Sequence, residues 1–228
     1  MKSLIEYAGL GKNKAPTLQG PLYEESGDSI PANGSLNGRH VIAQDTLING
    51  GMYLGAAGRE IIIVDDSRDQ RRYDQVYNSA LKGIYETAEA EPDFGVLSKV
   101  LIPTYTAVRR AIPYNEVGVD QLTLGYPNYR MDLAKFIMRR TGIVRHQALL
   151  TGYILERMID EGELMSEDNV SIDRSVSSDG GGHAWVRYTA SDGSPYIIDP
   201  ALSLVRSYGQ TTDAPWEYGR PDELDANQ

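Results

Sequence analysis

The residues of this chain whose types could do chemistry are a histidine, an acid 16 positions further on, and the polar start of an apolar helical pattern. His183 stands in Gly181-Gly182-His183-Ala184-Trp185 and Asp199 in Ile198-Asp199-Pro200, while Gly142-Ile143-Val144-Arg145-His146-Gln147-Ala148-Leu149 opens the helical pattern. A thiol hydrolase needs a nucleophile made reactive by a base, and a third group that orients the base. A helix start suits the nucleophile, because free N–H groups and the positive dipole end stabilise thiolate and oxyanion alike. Taken singly, His183 could be a satisfied structural histidine and Asp199 a turn starter. His146, His183 and Asp199 would suit zinc by ligand type, yet no short His-x-x-x-His spacing supports a metal, and none is expected. Water activation by His183 and Asp199 alone would lack the proximity advantage of covalent catalysis and would be slow.

Order and flanking residues make a more specific pattern. Gly142-x-Val144-Arg145 is followed by Ala148-Leu149, then by His183-Ala184-Trp185 after a glycine turn, then by Ile198-Asp199-Pro200; Val144 and His183 are 39 positions apart. This series resembles a transglutaminase-like, papain-type thiol enzyme, whose helix opens with Gly-x-Cys-Arg and then Ala-Leu, with His-Ala-Trp on a strand and Asp-Pro at the end of the next. The match covers residues 130 to 202, about a third of the chain.

The resemblance implies an α+β fold in which a buried central helix packs on an antiparallel β-sheet. It also implies His183 as the base, Asp199 as its orienting carboxylate and Trp185 as a wall of the site. Arg145 and His146 would lie on the substrate side, although Arg145 could pair with an acidic neighbour and His146 could be a buried helix histidine. Val144 occupies the nucleophile's position. Valine has no lone pair and no ionisable proton, and the chain contains no cysteine that could take over. The expectation is a catalytically dead pseudoenzyme that binds a peptide or protein partner through the former cleft. The alternative is an inactivated form of a thiol-dependent amidase, protease or acyl-transferase. A purely structural role, marked by an occluded cleft, is the third possibility. No cofactor is implied.

These residues need elements to hold them. Ala148, Leu149, Leu150, Tyr153, Ile154, Leu155, Met158 and Ile159 cover most of a helix circumference, which predicts a helix from Val144 to Ile159 buried in the domain centre and capped by Gly162. Period-two patterning then predicts strands at Val170–Val176, His183–Thr189 and Tyr196–Asp199, with turns at Gly180-Gly181-Gly182 and Ser191-Asp192-Gly193. Upstream, Arg39 to Val64 is strand-like. Asp65-Asp66-Ser67 supplies N-cap candidates for a helix bearing Tyr73, Tyr77, Ala80, Leu81, Ile84 and Ala88, stopped by Pro92. A second amphipathic run from Phe94 to Ile112 carries Pro103, which predicts a kink or break. Met131 to Arg140 is expected to be a short helix ending near Gly142.

Residues 1–34 form an expected irregular arm, 35–206 one domain with an N-terminal β and helical elaboration, and 207–228 a polar, frayed tail. A net charge of −10 opposes nonspecific binding to nucleic acid or anionic membranes. The paired arginines Arg71-Arg72, Arg109-Arg110 and Arg139-Arg140 suit solvated helix faces. No apolar run is long enough to cross a bilayer and the start is too short in apolar residues for a secretory signal, so a cytoplasmic location is expected.

Overall fold

The computed structural model describes residues 35–36, 38–55, 60–90, 95–124, 129–176, 182–214 and 216–220. The expected arm over 1–34, the stop at Pro92, the first residue of the second amphipathic run, Phe94, and the glycines Gly180 and Gly181 lie outside these residues. The architecture is α+β.

A two-stranded antiparallel pair, β1 (Ser35–Leu36) and β2 (Arg39–His40), leads into β3 (Met52–Leu54) and β4 (Glu60–Ile63), which pair antiparallel. Asp65 then caps a single 3-10 turn, Asp66–Arg68, by accepting from the Ser67 N–H at 3.2 Å, and α1 (Gln70–Ala90) follows with Tyr73, Val76, Tyr77 and Ala80 buried. A π-helical turn, Leu97–Leu101, runs straight into α2 (Ile102–Ala111). Pro103 therefore causes no break. It stands where the π turn passes into α2, and the widening of the preceding turn to i→i+5 bonding accommodates its missing N–H.

Next come α3 (Glu116–Thr123), β5 (Tyr129–Asp132), α4 (Leu133–Arg139) and α5 (Val144–Asp160). The expected helix from Met131 is corrected here. Residues 129–132 form a strand parallel to β4, with Met131 opposite Ile62, because the open edge of β4 takes up their backbone groups. Asp132 ends that strand and caps α4, accepting from the Ala134 N–H at 2.9 Å. In α5 every residue from His146 to Leu155 is buried. Its end is closed by Gly162 at φ +78°, whose N–H bonds the Ile159 carbonyl while the Glu163 N–H bonds that of Met158. This is the paired arrangement of a left-handed helix stop.

The last sheet is antiparallel in the order β6 (Asn169–Val176), β7 (Gly182–Thr189), β8 (Pro195–Asp199) and β9 (Leu204–Ser207). One face, with Val170, Ile172, Ala184, Val186, Tyr188 and Ile198, belongs to the main core built around α5. The chain beyond β9 corrects the expectation of a frayed tail as far as Arg220. Trp216 and Tyr218 are buried, and with Trp185, Ile197 and Leu204 they form a second apolar cluster on the other face of the same sheet. Residues 221–228 lie outside the description. No described helix is long and apolar enough to cross a membrane.

Candidate functional site

Strand alternation decides which side chains meet. Val186 and Ile198 face α5, so Trp185 and Ile197 face away, and with them His183, Arg187 and Asp199. On β6, Ser171, Asp173 and Ser175 stand opposite Arg187, Trp185 and His183 and share that outward face. The face is rich in polar groups, yet it is buried: His183 is 7% exposed, Trp185 2% and Asp199 0%.

His183 Nε2 bonds Asp199 Oδ2, so the two residues singled out in the sequence form one pair. The same oxygen accepts from the Tyr218 hydroxyl at 2.9 Å, and Asp199 Oδ1 accepts from the Leu202 N–H at 3.1 Å. Asp199 thus starts the turn after β8 and also holds the histidine. Burial, followed by the charge of Asp199, pushes the Tyr218 phenol well above its ordinary range, which keeps it a donor. With Nε2 engaged, Nδ1 is the ring nitrogen of His183 left for any other role.

The segment 216–220 roofs this pair. The Trp216 ring lies 4.7 Å from that of His183, and its Nε1 donates to Ser175 Oγ at 2.8 Å. Trp185 meets Tyr218 edge-on at 5.1 Å and stands 6.0 Å from His183. The indole N–H of Trp185 is buried without an acceptor among the described residues. Arg220 bonds Asp173 through Nε at 3.0 Å and Nη2 at 2.9 Å, and it also reaches both oxygens of Asp45. Arg187 holds the Asp173 carboxylate from inside at 3.0 Å and donates to the Tyr218 carbonyl at 2.9 Å. Burial alone would raise the Asp173 carboxyl, but the bonds and charges of Arg220, with Ser171 and Arg187, hold it below the usual carboxylate range.

The helix start is a separate environment. Val144 is half-buried and packs on the core around α5. Arg145 forms an ion pair with Glu60, the acidic neighbour whose position in the fold the sequence did not reveal. His146 is fully buried, with its ring 3.9 Å from that of Phe136. Its Nδ1 accepts from the Ile143 N–H at 3.1 Å, the reach-back of a third helical residue to its cap, so the proton sits on Nε2, 3.5 Å from Glu60 Oε1. Burial, then the charge of Arg145, drives its pKa well below the ordinary histidine value. The expected substrate-side role of His146 is corrected: with no exposed surface, it is a neutral cap and core residue.

The structure therefore brings His183, Asp199 and Trp185 together and gathers Arg145 and His146 around Glu60. Tyr218, Trp216, Arg220, Asp173 and Ser175 complete the first group and were not singled out from sequence. The period-two spacing Trp216-x-Tyr218-x-Arg220 was the available signal, in a stretch whose prolines and acids favour a tail. A cavity of about 260 Å³ opens elsewhere, beside the C-terminal half of α5, and is lined by Asp66, Tyr153, Glu156, Arg157, Asp160 and Glu161. Among the described residues no cluster of three or more His, Cys, Asp or Glu side chains could hold a metal ion. Comparison with family models, with curated proteins and with solved structures gives no match.

Proposed function

We propose that this chain is a catalytically silent, transglutaminase-like module that holds a peptide or protein segment on its outward sheet face in place of cleaving or transferring amides. The observation that carries this reading is the state of Asp199. Its carboxylate takes donors from His183, Tyr218 and the Leu202 backbone in a dry setting, while the helix start offers only Val144. A chain without cysteine has no thiolate to form a thioester, and its histidine is held beneath a tryptophan.

The family reading draws support from a buried helix that follows Gly142, and from a histidine and an aspartate bonded across adjacent strands of the antiparallel sheet after it. Residues 216–220 close this face, the occlusion expected of a purely structural role, so the binding reading requires that segment to give way; its support is the set of aromatic and charged side chains gathered there. A cytoplasmic setting and a protein partner belong to this proposal, as does the absence of nucleic acid among its ligands.

Turnover tests it. Wild-type protein and Val144→Cys should both leave a glutamine-containing peptide unchanged, with neither ammonia release nor amine incorporation above buffer. Turnover by Val144→Cys that His183→Ala abolishes would overturn the proposal in favour of an inactivated thiol enzyme.

A further inference from the structure

We infer that the outward face of β6–β8 is a groove for an extended Trp-x-Tyr-x-Arg segment, and that residues 216–220 are its resident, exchangeable ligand. This deepens the reading of that face as a binding surface and rests on it.

The anchors recur every second residue, the repeat of an extended chain. Trp216 and Tyr218 are buried with Glu217 between them exposed, while Gly219 is also buried and Arg220 is half-buried. Each anchor meets a built polar partner. The indole N–H reaches Ser175, the phenol reaches Asp199, and the guanidinium forks onto Asp173, which is 4% exposed. Arg187 adds one bond to the segment's backbone at the Tyr218 carbonyl. Three side chains of different chemistry are thus read at three fixed positions, which gives specificity for an aromatic, aromatic, cationic order.

The way the segment is attached separates it from the sheet beneath. Residues 216–220 belong to no strand, so they contribute no ladder hydrogen bonds and can leave without breaking β-pairing. The tether between β9 and this segment comprises a 3-10 turn, Tyr208–Gln210, whose Tyr208 packs on the same cluster, and the exposed residues Thr212 and Asp213, the latter paired with Arg206. Such a short tether sets an effective concentration of about millimolar, so a free peptide competes poorly while the tether is intact. Cutting it turns an intramolecular contact into a measurable equilibrium. A segment of the same order on another protein, or on a second copy of this chain, would then compete directly.

The experiment places a specific protease site in the full-length chain within the Thr212–Ala214 turn, cleaves it, and follows a fluorescent peptide of residues 214–228 by anisotropy. The expected result is that the cut fragment stays bound at high protein concentration and exchanges with the labelled peptide. Peptides carrying Trp216→Ala, Tyr218→Ala or Arg220→Ala should each bind about ten-fold or more weakly. Loss of the fragment with no rebinding and an unchanged melting temperature would overturn the inference, since the segment would then be a passive cover. Unfolding on cleavage would overturn it too, because the segment would be an integral part of the fold. Neither result would restore thiol chemistry, so the catalytic silence is tested separately, by turnover and by the reactivity of Val144→Cys. Hydrogen exchange on the uncut protein provides a second measurement. Arg220→Ala should speed exchange of the 216–220 amides and leave β6–β8 unchanged; equal acceleration in both would contradict an exchangeable ligand.

Discussion

Tyr218 donates its hydroxyl hydrogen to Asp199 at 2.9 Å, on the same carboxylate oxygen that His183 engages. The carboxylate that would orient a base in a thiol enzyme here also fastens the chain's own downstream segment. Orientation of His183 and part of the closure of the outward face therefore share one carboxylate, and both should respond to its mutation.

Tyr218→Phe keeps the ring against Trp185 and removes only the donor. Asp199 is fully buried, so losing one of its charge-assisted bonds should cost about 1.5–3 kcal/mol. Urea unfolding of the two proteins checks this, and a difference below about 0.3 kcal/mol would show that the bond is not made in solution.

Acid stability should report Asp173. Its carboxyl is held below the usual range when folded, so it binds fewer protons in the native than in the unfolded state. The stability it contributes is complete above its unfolded pKa of about 3.9 and is lost as pH falls through the lower native value. Asp173→Asn should flatten the unfolding free energy below about pH 4 relative to wild type, at a cost in stability at neutral pH from leaving Arg187 and Arg220 short of an anion. Parallel acid limbs in the two proteins would contradict the assignment.

His146 acts in a different window. It is buried neutral, so the unfolded chain takes up a proton below about pH 6.5 that the folded chain refuses, and folding stability should fall from there at about 1.4 kcal/mol per pH unit. His146→Gln keeps an acceptor for the Ile143 N–H and removes the titration. The mutant should lose this part of the slope between about pH 6.5 and 5 in denaturant titrations; an unchanged slope would place the proton uptake elsewhere.

The glycine that opens the helix motif has a packing reason. A Cβ at position 142 would stand 2.3 Å from Ile112 Cγ2 and 3.0 Å from His146 Cβ, neither of them the free end of a flexible side chain. Gly142→Ala should destabilise by about 1–3 kcal/mol, and calorimetry showing no change would mean that α5 starts differently.

The buried helix and the strands after it could be read from sequence because each spans enough residues to display its period. Leu149 to Met158 is apolar almost all round, and the alternation of Ala184, Val186 and Tyr188 with Trp185 and Arg187 assigns the two sheet faces. The strand Tyr129–Asp132 could not be read, since four residues show too little alternation and a parallel partner lies far back in the chain at β4. Pro103 predicted a kink or a break; the sequence does not show that the turn before it widens and keeps the helix continuous. The roof over His183 and Asp199 was hidden for a similar reason: Trp216, Tyr218 and Arg220 are three anchors among polar neighbours, and their partners Ser175, Asp199 and Asp173 are distant in sequence.

We propose that His183 and Asp199 hold the 216–220 segment and do not activate a nucleophile at position 144. The most direct test of this needs no knowledge of a substrate: the pH dependence of iodoacetamide alkylation of Val144→Cys, with and without His183→Ala. The expected result is a thiol that titrates within about one unit of the free cysteine value of about 8.5, with a profile that His183→Ala leaves unchanged. Rapid alkylation persisting well below that pH, and abolished by His183→Ala, would contradict it.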